Sequence, residues 1–171
     1  PCEQRDEMAR LYMLLLLTLR AVQRQRFMQA LEPRQEVTDE QLVAMWQQLI
    51  ENSGASERLQ RPARLTMATG LHPPVAFGEG EVCIPERTMT DLTPAQQRGV
   101  LAHEWAHHLR RDPHWLLGLR WLEALFFFQP LLRVARVHQS DAAEGLCDAW
   151  AARHTGSRKA LAQSLVTVAA W

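Results

Sequence analysis

Cysteine, lysine and net charge are what this sequence has least of, and each shortage excludes something. Only Cys2, Cys83 and Cys147 occur among the 171 residues. They are odd in number and widely spaced, with no CxxC pair, which excludes a disulfide framework and a cysteine-built zinc knuckle. A reducing compartment follows naturally. Nineteen basic residues balance nineteen acidic ones, so no electrostatic case exists for a nucleic-acid partner. Lys159 is the single lysine beside eighteen arginines. There is no internal repeat, no low-complexity stretch and no signal-peptide pattern. A chain beginning at Pro1 is expected to be a fragment or a processed product.

Long uninterrupted apolar runs are also missing, so no segment reaches the ~18 residues of a complete membrane span. Two come near. Leu11–Leu19 (LYMLLLLTL) is intensely apolar but short, and Trp115–Leu132 is broken by Arg120, Glu123 and Gln129. On length alone both read as buried core helices, with membrane contact as the alternative.

What remains is an ordinary globular mix, with 47% hydrophobic and 22% charged residues, enough for one domain around one core. Residues 1–60 read as two helices. The first spans 6–31 and is stopped at Glu32-Pro33; the second is capped by Thr38-Asp39 and closed by Asn52-Ser53-Gly54. Residues 61–90 carry three short β-type runs, Leu65–Met67, Val75–Phe77 and Val82–Ile84. Gly70, Pro73-Pro74 and Gly78-Glu79-Gly80 punctuate them, which predicts a small antiparallel sheet. Residues 91–171 are helical. Thr93-Pro94-Ala95-Gln96 opens a helix with a capping box and an N1 proline, and Asp112-Pro113 ends it. Pro130 opens another long helix that Gly156 closes, and Ser157 caps the last.

The helix after Thr93 carries His103-Glu104-Trp105-Ala106-His107. At ~100° per residue the two imidazoles stand about 40° apart and one turn along, so both can reach one ion. Glu104 projects beside them, placed to take a proton from water without ligating the metal. By composition such a motif arises by chance in roughly one such chain in fifty, so a second cluster has to decide. Glu144-Gly145-Leu146-Cys147-Asp148 sets two carboxylates at i and i+4 on another helix. Glu144 can complete a His₂Glu set, and Asp148 can accept a ring N–H from a ligand histidine. Apolar neighbours around both acids make unpaired surface charges there costly.

Other residues read as ordinary. His108 lies ~100° from His107, too far round the helix to share an ion. Cys147 points away from Glu144 as a buried thiol, and Asp112 forms a structural salt bridge at the helix end. His114 and His138 are candidates to stabilise an oxyanion, while His72 and His154 carry no assignment. Trp115, Trp121 and Phe126–Phe128 read as core or membrane-facing rather than as a cofactor box.

HExxH followed by ExxxD is common to two gluzincin-like groups. AHEWAHHLRRDP, ALFFFQPLLRVAR and AEGLCDAWAARHTGS, with CIPERTMTDLTPAQQRGVLAHE ahead of them, resemble the M56 metallopeptidases, the BlaR1/MecR1 family of bacterial membrane proteins. The match runs from about Val75 to Trp171. The M48 peptidases share the HExxH/ExxxD chemistry but lack the RRDP and LCD text.

The resemblance implies a mainly helical α+β, zincin-like peptidase domain holding one zinc ion per chain. Its zinc ligands would be His103, His107 and Glu144, and its base Glu104. It implies a protein or peptide substrate, and a place at the cytoplasmic face of the bacterial inner membrane. Best-known members join such a domain to an extracellular β-lactam sensor. No SxxK motif is present here, so the antibiotic-sensing role does not carry over. The expectation is a zinc endopeptidase of regulation or quality control, with Val82–Ile84 as an edge for an extended substrate. A catalytically silent zinc-binding scaffold is the alternative, and the retained Glu104 counts against it.

Overall fold

The computed structural model describes residues 2–31, 33–54, 62–77 and 80–171. The expected breaks at Glu32 and at Gly78-Glu79 fall outside them. The chain runs α1 (Cys2–Ala30), β1 (Arg34–Glu36), α2 (Glu40–Asn52), β2 (Arg64–Ala68), β3 (Val75–Phe77) and β4 (Glu81–Pro85). It continues through a single turn α3 (Arg87–Thr90), α4 (Pro94–Arg110), α5 (Asp112–Leu125), α6 (Pro130–Thr155) and α7 (Arg158–Ala169). The architecture is α+β and mainly helical.

Local chemistry sets most helix ends. The Asp39 carboxylate accepts from the Leu42 N–H at 2.8 Å and starts α2. Gln96 Oε1 accepts from the Thr93 N–H at 2.9 Å and starts α4. Ser157 starts α7 by accepting from the Ala160 N–H. Gly156, at φ 72°, closes α6 in the left-handed conformation that a glycine adopts without a Cβ penalty.

The sheet corrects the antiparallel expectation. Its order is β1-β2-β4-β3, with β2 and β4 parallel and the outer pairs antiparallel. The β3–β4 hairpin folds back so that β4 slots beside β2 and leaves β3 outside. Val82, Cys83 and Ile84 are all fully buried, as expected of an interior strand covered on both faces. Val82–Ile84 therefore cannot be an edge; the free edge near the helices belongs to β3. The outer strand β1 was not anticipated, because its residues, Arg-Gln-Glu, carry no apolar pattern and its pairing to β2 is made by the backbone.

The core lies between the sheet, α2, α4, α6 and α7. Trp46 and Trp105 meet edge-on at 5.1 Å, and Leu42, Leu65, Ile84, Leu101 and Leu161 pack in the same cluster. The Trp105 indole N–H donates to Ser53 Oγ at 3.1 Å, so its polar atom is satisfied. α4 passes so close to α7 that a Cβ on Gly99 would meet the Leu161 Cα at 3.3 Å. The helix carrying His103 and His107 is thus fixed by packing on several sides.

Two apolar segments do not join this core, contrary to the buried-helix expectation. Leu11, Leu14, Leu15 and Leu19 on α1 are exposed, as are Trp115 and Trp121 on α5 and Phe126–Phe128 just beyond it. The two segments touch each other through Tyr12 and Phe127, whose rings lie 4.9 Å apart. Among the described residues no helix is long and apolar enough to cross a membrane.

Candidate metal centre

α4 and α6 face each other and bring the two acidic and histidine clusters together. His103 and His107 present their Nε2 atoms 3.3 Å apart. Glu144 reaches across from α6, with Oε2 3.3 Å from His103 Nε2 and Oε1 3.8 Å from His107 Nε2. The three donor atoms all lie within 4.8 Å of one another. A tetrahedral zinc site with Zn–N near 2.0–2.1 Å separates neighbouring donors by about 3.3–3.4 Å. The observed spacings therefore suit one such ion held by two neutral imidazoles and one carboxylate.

The electrostatics match this convergence. Burial opposes a charge on His103, yet Glu144, Glu104 and Asp148 outweigh it and raise the imidazole's pKa above its ordinary value. The contact from His103 pulls Glu144 below the usual carboxylate range, against the effect of burial. A cluster that attracts positive charge is what a cation site requires.

Glu104 stands beside these donors but is not one of the converging set. Burial pushes its carboxyl above the usual range. The positive potential of His103 and His107 and the nearby Ala76 backbone pull the other way and do not prevail. Ala76 belongs to β3, the outer strand, against which α4 packs. A backbone group leaves no mark in a sequence pattern, and the β3 contact was not anticipated.

Behind the histidines the structure places two carboxylates. Asp148 Oδ1 lies 2.9 Å from His103 Nδ1, although the alignment falls short of a hydrogen bond. Asp112 Oδ2 accepts from His107 Nδ1 at 3.0 Å and from Arg110 Nε at 3.1 Å. Cys147 Sγ completes this second group, 3.3 Å from His107 Nδ1 and 3.5 Å from Asp112 Oδ2. The reading of Asp112 as a plain salt bridge thus missed its contact with His107. The available signal was its position, five residues beyond His107 across a helix end. Cys147 is buried, as expected, and burial followed by the neighbouring Asp112 charge raises its thiol pKa well above the ordinary value.

The remaining histidines stand apart from these groups. His108 Nε2 donates to the Glu81 carbonyl at 2.8 Å and pins α4 to β4. His154 stacks on Trp150 at 3.8 Å, and His72 contacts the Trp171 carbonyl. His138 and His114 are both exposed, and neither is among the groups of side chains close enough to share an ion.

No curated protein sequence matches the chain. The sequence model of the family described as BlaR1 peptidase M56 does match, over residues 8–171, nearly the whole length and with both histidine and carboxylate clusters inside it. The chain belongs to the M56 peptidase family.

Proposed function

We propose that this protein is a zinc-dependent endopeptidase in which His103, His107 and Glu144 hold the metal and Glu104 is the catalytic base. The observation that carries this reading is the convergence of three donor atoms at tetrahedral-site spacing, with a fourth, non-converging carboxylate on the same helix turn. Zinc, when bound, supplies Lewis acidity that polarises a carbonyl and acidifies water toward a pKa of about 7.

The chain's own residues supply the rest. The Glu104 carboxylate takes the proton of the attacking water and passes it to the leaving nitrogen. The free edge of β3, beside Glu104, offers backbone groups along which an extended peptide can pair.

The exposed apolar surface of α1 and the α5–α6 corner supports membrane association of the whole protein. We place the peptidase at the cytoplasmic face of the bacterial inner membrane, acting on a regulatory or quality-control substrate, as the family resemblance implies.

Metal content tests the centre. The wild type should bind about one zinc per chain. His103→Ala and His107→Ala should abolish binding, and Glu144→Ala should weaken it strongly. Stoichiometric zinc in all three variants would remove the basis of the site.

A further inference from the structure

We infer that Asp112 is a positioning residue for His107, holding the ring so that Nε2 faces the converging donors. The inference rests on the metal-centre reading above and concerns how that centre is built. A carboxylate can only accept, so its contact with His107 Nδ1 requires the ring proton on Nδ1. Nε2 is then left with its lone pair directed toward His103 and Glu144. Fixing the tautomer and plane of a ligand histidine in this way is the usual task of a carboxylate behind a metal site.

The backbone is arranged to deliver this contact. α4 and α5 are separated by a single residue, Arg111, at φ 58° and ψ 31°. It is the one non-glycine with positive φ among the described residues. Such a conformation costs a side-chain-bearing residue free energy and persists where the surroundings require it. Here it turns the chain sharply enough to bring Asp112 back under the last turns of α4, beside His107 on the helix just completed. Asp112 opens α5 at once and Pro113 follows in its first turn, so the corner has no slack.

A simple helix-end ion pair accounts poorly for the carboxylate's surroundings. Asp112 is 2% exposed, far more buried than a surface salt bridge requires. His107, Arg110 and Cys147 all converge on Oδ2, while the buried Oδ1 has no hydrogen-bond partner. An ion pair built for stability would engage Arg110 through both oxygens. Burying a carboxylate with one oxygen unsatisfied is costly, and such a cost points to what Oδ2 does. Asp148 offers a contrast on the other histidine. It is much more exposed, and its contact with His103 is not aligned as a hydrogen bond. The two ligand rings are therefore held unequally, His107 the more firmly.

The test combines two readouts on the full chain. Zinc affinity is measured by competition with a chromophoric chelator, and the His107 tautomer by long-range 1H–15N spectra of the zinc-free protein. The wild type should show a fixed Nδ1–H form at His107. Asp112→Ala should lose that preference and bind zinc about 10–100-fold more weakly. Asp112→Asn keeps the size and one acceptor oxygen, so it should fall between the two; it also decides the matter if Asp112→Ala does not fold. Arg110→Ala breaks the ion pair alone and should keep both the tautomer and the affinity. Wild-type affinity in a folded Asp112→Asn and Asp112→Ala would overturn the inference, and so would an Arg110→Ala loss as large as that of Asp112→Ala. Either result would leave the metal centre standing provided His107→Ala still loses zinc. A wild type that takes up no zinc would overturn the metal-centre reading, and this inference with it.

Discussion

The molecule holds two aromatic clusters of similar chemistry and opposite fate. Trp46 and Trp105 meet inside the core, with Trp105 fully buried and its indole N–H paired to Ser53. Phe126 and Phe127, just past α5, each meet Phe128 edge-on, and Trp121 and Phe128 are exposed, Phe128 to 70%. The difference lies in what surrounds each cluster rather than in its apolarity. α4 is wrapped by α2, α6, α7 and the sheet, so its aromatics have partners on every side. The α5–α6 corner meets α1 through Tyr12 and Phe127 and leaves its other aromatics exposed. Exposed aromatic area of that kind forgoes roughly 25 cal/mol for each Å² left in water. A contiguous apolar patch is the usual mark of a surface made for lipid or a partner. One cluster therefore holds α4, the helix of His103 and His107, in place, and the other is left exposed.

Substitutions should separate the two. Trp105→Ala should destabilise the chain by about 3–5 kcal/mol, as large-to-small changes in a packed core do. It should also loosen zinc indirectly, because the same helix carries both histidines; denaturant unfolding with and without zinc would measure both. Trp121→Ser combined with Phe128→Ser should change stability by no more than about 0.5 kcal/mol, as substitutions outside the core do. The pair should instead reduce binding to phospholipid vesicles and the need for detergent. A stability loss at the corner equal to that of Trp105→Ala would show the corner to be part of the core and erase the contrast.

The same contrast shows what a sequence can carry. The HEWAH and EGLCD spacings were readable because both depend on the fixed rise and turn of one helix. The caps at Thr93, Gly156 and Ser157 were readable because each is a contact within a few residues. Sheet order was not, since placing β4 between β2 and β3 depends on a nonlocal choice between a meander and a crossover. The unbroken apolar run Val82–Ile84 was its one local sign. Ala76 lies near Glu104 through its backbone, which carries no side-chain signal. Asp112 reaches His107 only because Arg111 adopts a left-handed turn, and arginine gives no hint of one. Leu11–Leu19 and Phe126–Phe128 look like core by composition, and only the positions of neighbouring elements leave them exposed.

The central claim is that the buried side of the molecule forms a catalytic centre rather than a structural zinc site. Glu104 is the residue on which that distinction turns. Glu104→Gln keeps the size and hydrogen-bonding reach of the side chain but removes its ability to take a proton. Cleavage of an unstructured protein such as casein, measured alongside zinc content, is the direct test. The variant should fold and keep its zinc while losing cleavage by about 10²–10⁴-fold, the range for loss of a general base. A Glu104→Gln variant that cleaves as fast as the wild type would contradict the account.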